Sequence, residues 1–93
     1  MSQDTVTVGS ISVQVQLFAE VTNATGLGMA FAVAQWSGIL GLAFADISVN
    51  AAPPVFYSMM QQYPNMQQLF SFYLPKSDSE TGELNFGAID PTK

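Results

Sequence analysis

The stretch from Ile11 to Val21 constrains this chain more than any other. Ile11, Val13, Val15, Leu17, Ala19 and Val21 occupy alternate positions, with Ser12, Gln14, Gln16 and Glu20 between them. A period of two is the signature of a strand with one buried face. Phe18 alone breaks the pattern and reads either as a core residue of a second layer or as an exposed aromatic that a missing partner should cover. Upstream, Asp4 to Val8 also alternates, with Val6 and Val8 on one face. Gly9-Ser10 joins the two runs as a glycine-first, two-residue connection, the type II′ pattern whose twist suits a hairpin. The chain therefore starts with a hairpin whose apolar face needs a cover.

A second constraint is the run Trp36-Ser37-Gly38-Ile39-Leu40-Gly41-Leu42-Ala43-Phe44. A helix is disfavoured there, because two glycines cost it roughly 2 kcal/mol against alanine. A fully buried strand fits, either a plain core strand or one that a second backbone crosses closely at the glycines. Met29 to Gln35 fits both the helical and the strand period. Ala45 to Val49 reads as a turn or short helical bend. Pro53-Pro54 opens a helix, since proline suits first helical positions where its missing N–H goes unmissed. Val55 and Met59, and Phe56 and Met60, lie four apart and form its apolar stripe. Tyr63-Pro64 ends it, because the residue before proline is steered out of the helical region. Leu69 to Leu74 reads as a strand, residues 76–82 as a polar turn, and Glu83 to Ile89 as the returning strand.

Composition bounds the function. Ninety-three residues make one small domain or a part of one, and charged residues are 10% of the chain while 48% are hydrophobic. The net charge of -5, with two lysines and neither arginine nor histidine, excludes the basic footprint that nucleic acid requires. No apolar run is long enough for a membrane span, and residues 1–20 lack the pattern of a signal peptide. Cysteine is absent, so thiolate chemistry and disulfides are excluded. Without histidine or cysteine, neither a nucleophile triad nor a transition-metal cluster is expected. Asp78, Glu80 and Glu83 do not follow the ligand spacing of a calcium loop and read as a polar turn. No cofactor is expected. Asn23-Ala24-Thr25 is an N-glycosylation sequon, meaningful in a secretory compartment.

Taken together, Asp4-Thr5-Val6-Thr7-Val8-Gly9-Ser10-Ile11, Gln16-Leu17-Phe18-Ala19-Glu20-Val21-Thr22, Ser37-Gly38-Ile39-Leu40-Gly41-Leu42-Ala43, Ile47-Ser48-Val49-Asn50, Leu69-Phe70-Ser71-Phe72-Tyr73-Leu74 and Gly87-Ala88-Ile89-Asp90-Pro91 resemble, in order and spacing, the pepsin-like aspartic proteases of the pepsin and cathepsin D type. The resemblance covers nearly the whole chain and matches the later part of that family's N-terminal lobe. It implies that residues 1–93 are a partial lobe, all-β with one short helix. In it, Ile39-Leu40-Gly41 would be the second strand of the ψ-shaped motif beside which an acid-bearing loop threads. Residue by residue, the resemblance places Phe31, Trp36 and Ile39 along the substrate cleft. It further implies a polypeptide substrate, the remainder of the lobes as partner, and a secreted or lysosomal/vacuolar location. Ser37 stands where the family usually has aspartate, and Ala88 where it usually has glycine.

The chemistry of that family needs two carboxylates sharing one proton across an attacking water, each on an Asp-Thr/Ser-Gly turn. The chain has neither turn: Asp4-Thr5 is followed by Val6, and Asp78-Ser79 by Glu80. The expectation is thus no catalytic residue here, and a piece of an endopeptidase that is inactive alone. The alternatives are a non-catalytic remnant that binds peptides and a truncated gene product.

Overall fold

A computed structural model describes all residues from Met1 to Lys93. The chain forms two compact units, Met1–Gln62 and Tyr63–Lys93.

The first unit begins with the expected hairpin. Strand β1 (Ser2–Val8) pairs antiparallel with β2 (Ile11–Phe18). Gly9 takes a φ of 60° while Ser10 stays outside the left-handed region. One positive φ at the first turn position is the II′ requirement, where I′ needs two.

The hairpin departs from its sequence pattern in the middle. Asp4 pairs with Gln16 but Val6 with Val13, so Thr5 alone faces the step that Gln14 and Val15 make on β2. This is a β-bulge, and Val15 sits at a φ of 55° within it, a region β-branched residues seldom occupy. The extra residue inverts the facing of everything beyond it. Val13 keeps its buried face, but Val15 turns outward and Gln16 is buried instead. Phe18 is exposed rather than part of a second layer, and the strand ends there instead of at Val21.

After the hairpin the chain is more helical than its sequence suggests. A 3-10 turn at Thr25–Leu27 runs into helix α1 (Gly28–Val33). The stretch Ala34 to Phe44 is irregular and contains no strand. Short 3-10 turns at Ala45–Ile47 and Val49–Ala51 match the expected bend. The Ala45 N–H donates to the Tyr57 hydroxyl oxygen at 3.3 Å, tying that bend to the next element. That element is helix α2 (Val55–Gln62). The Ser58 N–H donates to Pro54 O at 3.2 Å, so helical bonding starts at the proline, and the helix stops before Pro64. Helix α2 packs on β2, and the core lies between them: Val13 and Met59 are fully buried, with Phe56 and Ala52 beside them. Burying side chains of this size stabilises by about 1.5–3 kcal/mol each.

The second unit is a hairpin of β3 (Phe70–Tyr73) and β4 (Glu83–Phe86). Phe70 faces Phe86 across it with ring centroids 6.3 Å apart, a pair of the kind that stabilises by about 0.2–1 kcal/mol. Gly87 follows β4 at a φ of 80°, its N–H donating to Leu69 O at 2.7 Å, and a Cβ there would stand 2.5 Å from Met66 Cγ. Only glycine meets both conditions.

The expectation of an all-β chain with one short helix is therefore corrected. Helix and strand each account for 25% of the residues, the strands in two hairpins. The physical reason is local: residues 36–44 find no neighbouring strand in these 93 residues, and a strand without a ladder partner does not form.

Candidate functional site

Phe31 and Trp36 are brought together by the tight turn between them. Helix α1 ends at Val33, where the Ala34 N–H donates to Phe31 O at 3.3 Å, and the backbone then extends. The two rings meet edge to face at 5.2 Å between centroids and 65° between planes. That geometry sets the positive ring edge of one against the negative face of the other. Trp36 remains 44% exposed and Phe31 half-buried, so the pair presents an apolar surface to solvent. Ile39 lies elsewhere. It lines a cavity of about 450 Å³ whose wall includes neither Phe31 nor Trp36.

That cavity is built from the irregular stretch facing the start of α2. Ile39, Leu40, Phe44, Ile47 and Val49 contribute apolar walls, and Gln16 contributes a polar one. The sequence gives Leu40 a packing role in the ψ-shaped motif and gives Phe44 and Ile47 no site role, although the unbroken apolar run is a signal for all three. Gln16 is there because of the bulge, which no alternation pattern displays. Its carboxamide nitrogen donates to Pro53 O at 2.8 Å and Leu17 O at 3.0 Å, holding β2 to the approach of α2. Gln16 Oε1 is buried without a hydrogen-bond partner, which costs about 1–3 kcal/mol. Around Gly41 the space is open, with nothing within 4 Å of a Cβ placed there. The close backbone crossing expected at Gly41 is not made within this chain.

No carboxylate pair is assembled. Asp4 lies on β1, where its Oδ1 accepts from the Thr5 N–H at 2.7 Å. Asp78 sits in the connection of the second unit. No group of three or more acidic, histidine or cysteine side chains converges as a metal-ligand set. The perturbed groups belong to the second unit and to turns. The Tyr73 hydroxyl donates to the Glu80 carboxylate, and the Lys76 N–H donates to its other oxygen at 3.1 Å. The Tyr73 bond first, and the Lys76 amide second, hold the Glu80 carboxyl below its ordinary range, while the same bond raises Tyr73. Asp90 is lowered by the Thr92 hydroxyl and then the Thr92 amide. Such turn-stabilising bonds are no acid–base pair.

Asn23 is exposed in the loop between β2 and α1. Its Oδ1 accepts from the Thr25 N–H at 3.1 Å and the Thr25 hydroxyl at 2.8 Å. No helix of the chain is long and apolar enough to cross a membrane.

Comparison with known proteins identifies the family. The family described as eukaryotic aspartyl protease matches residues 1–93. Cathepsin D of Dictyostelium discoideum is 54% identical over 94 residues, which span 100% of this chain and 24% of that protein. Aspartic proteinase A1 of Arabidopsis thaliana is 46% identical, over 97% of this chain and 18% of its own length. Vacuolar protease A of Neurospora crassa is 44% identical, over 97% and 22%. The chain thus spans between a sixth and a quarter of the length of these curated relatives. With a match running from its first residue to its last, the chain belongs to the eukaryotic aspartyl protease family.

Proposed function

We propose that residues 1–93 are a supporting part of the N-terminal lobe of an aspartic endopeptidase, and that they do not catalyse alone. The observation that carries this reading is the family match over the whole chain, set beside the absence of any Asp-Thr-Gly or Asp-Ser-Gly turn within it. In the complete enzyme, two such turns contribute the acids that activate a water against a peptide bond, one as base and the other as acid. This segment supplies apolar walls. Phe31, Trp36 and Ile39 line the cleft for an extended polypeptide, and Ile39-Leu40-Gly41 packs beside an acid-bearing loop. Gly41 leaves room for that loop's backbone, in keeping with the open space around it. The names cathepsin D and vacuolar protease A among the relatives favour a lysosomal or vacuolar setting.

A second reading is a non-catalytic module that holds peptides. The exposed Phe31–Trp36 pair and the apolar cavity favour it, since neither needs a carboxylate to bind. Purified residues 1–93 should leave unfolded protein substrates intact at every acidic and neutral pH. A reading frame extended on both sides should carry the two acid turns, and its product should cleave the same substrates and lose that activity on Asp→Asn exchange in either turn. Extended product without acid turns that still binds peptides, and loses binding on Trp36→Ala, would favour the second reading.

A further inference from the structure

We propose that Asn23 carries an N-linked glycan, and that this loop is built to hold one without cost to the fold. The sequon is the first observation: Asn23-Ala24-Thr25 has the hydroxyl residue at the required position and no proline between. The structure adds three others. Asn23 and Thr25 are both exposed, on a loop that leaves room for a bulky, hydrated substituent. The carboxamide is divided in its use: Oδ1 takes both Thr25 bonds, at 3.1 Å from the amide and 2.8 Å from the hydroxyl, while Nδ2 donates to nothing in the chain. Finally, none of residues 19–27 is buried, so the loop around the sequon carries no core side chain.

That division matters chemically. In the transfer, Asn23 Nδ2 attacks the anomeric carbon of an oligosaccharide carried on a polyprenyl diphosphate. The new N–C bond forms as the C–O bond to the diphosphate breaks. The polyprenyl diphosphate leaves with the electron pair, and Nδ2 gives one proton to a base of the transferase. The product is still an amide, so Oδ1 remains an acceptor and the Thr25 bonds persist. Only the nitrogen that the fold does not use is modified. A sequon whose Nδ2 held the backbone would lose a structural bond on conjugation; this one loses none.

The inference rests on delivery to a compartment that contains the transferase, which the protease reading favours. The test separates the two. Residues 1–93 are placed behind a heterologous secretion signal in a eukaryotic host, so that delivery does not depend on what the longer protein is. The expected result is one mobility shift, abolished by an amidase that cleaves N-glycans and leaves aspartate at position 23 in the peptide mass. Asn23→Gln and Thr25→Ala should abolish the shift, and Thr25→Ser should retain it. The glycosylated chain should also unfold at the same denaturant midpoint, within error, as the same chain made without glycan in a bacterial host. A delivered wild-type chain with no shift overturns the proposal whatever the longer protein turns out to do. So does a shift that survives Asn23→Gln.

Discussion

Helix α2 with the strand beneath it, and the stretch from Trp36 to Phe44, are both rich in large apolar side chains, and they meet opposite fates. Met59 is fully buried against β2, while Ile39 is 70% and Phe44 77% exposed. The difference is not composition. Helix α2 has an apolar stripe at helical spacing and a strand that reaches it from earlier in the chain. Residues 36–44 have a run of apolar groups with no face, and nothing in the 93 residues to pair their backbone. Apolar surface is buried only where geometry brings a second surface to it, and a run this apolar left open is the kind of surface that interaction sites present.

The contrast can be broken most forcefully in the core. Met59→Ala should destabilise the first unit by about 2–5 kcal/mol, the range for truncating a buried methionine. Leu40→Ala should change stability by no more than about 0.5 kcal/mol, as surface substitutions do. Equal losses in chemical denaturation would mean that residues 36–44 are packed in solution.

The open stretch should instead reveal itself in association. With Ile39, Leu40, Phe44 and Ile47 exposed, only the net charge of -5 at pH 7 keeps copies apart. Carboxylates take up protons as pH falls, and the charge vanishes near the sequence pI of about 4.1. Sedimentation should show self-association that is strongest there and weaker at pH 7. Phe44→Lys should reduce it. A monomer at every pH would show that the exposed run is covered from within.

Gly41→Val sharpens the same comparison with a smaller effect. In these 93 residues it should be silent, since its Cβ would meet open space. In the longer protein it should cost about 1–3 kcal/mol through overpacking. Thermal melts of both forms decide. Silence in both would mean that no backbone crosses at Gly41.

The smallest effect concerns the second unit. Glu80 is depressed by its bond from Tyr73, so the bond contributes fully above the ordinary glutamate pKa and is lost as pH falls through the depressed one. Tyr73 is raised, so at the alkaline end the contribution is present below the ordinary tyrosine pKa and is lost as pH rises through the raised one. Tyr73→Phe should move the Glu80 titration upward toward its ordinary range in a carboxylate NMR titration. An unmoved Glu80 would mean that the Lys76 amide alone holds it.

What could be read before the structure was known follows from how local each signal is. The Gly9 turn, the start of α2 just after Pro54, its end before Pro64 and the pairing of β3 with β4 are set by residues within a few positions, and those are legible. The bulge was not, because Gln14 and Val15 look the same in sequence whether one residue or two faces Thr5. It turned a uniform apolar face into one that buries Val13 and then Gln16. Helix α1 was ambiguous because alanine at alternate positions satisfies both periods. The fate of Ile39 was beyond local reading altogether, since it depends on atoms far away in the chain. Of the three cleft residues, Phe31 and Trp36 meet at 5.2 Å and Ile39 stands apart on the cavity wall.

The last residue of α2 carries a consequence for how this chain keeps company. The Gln62 carboxamide accepts from the Gln14 N–H at 2.7 Å and donates to Gln14 O at 2.8 Å. A single side chain thus imitates one rung of a neighbouring strand at the very point where β2 bends. Open strand borders invite ribbon-like stacking of copies, and this border is already stoppered by a residue that belongs to the same fold. Growth of an ordered fibre from β2 has to displace Gln62 first. The protection is local to that rung: it guards β2 and does not reach the separate two-stranded sheet of β3 and β4.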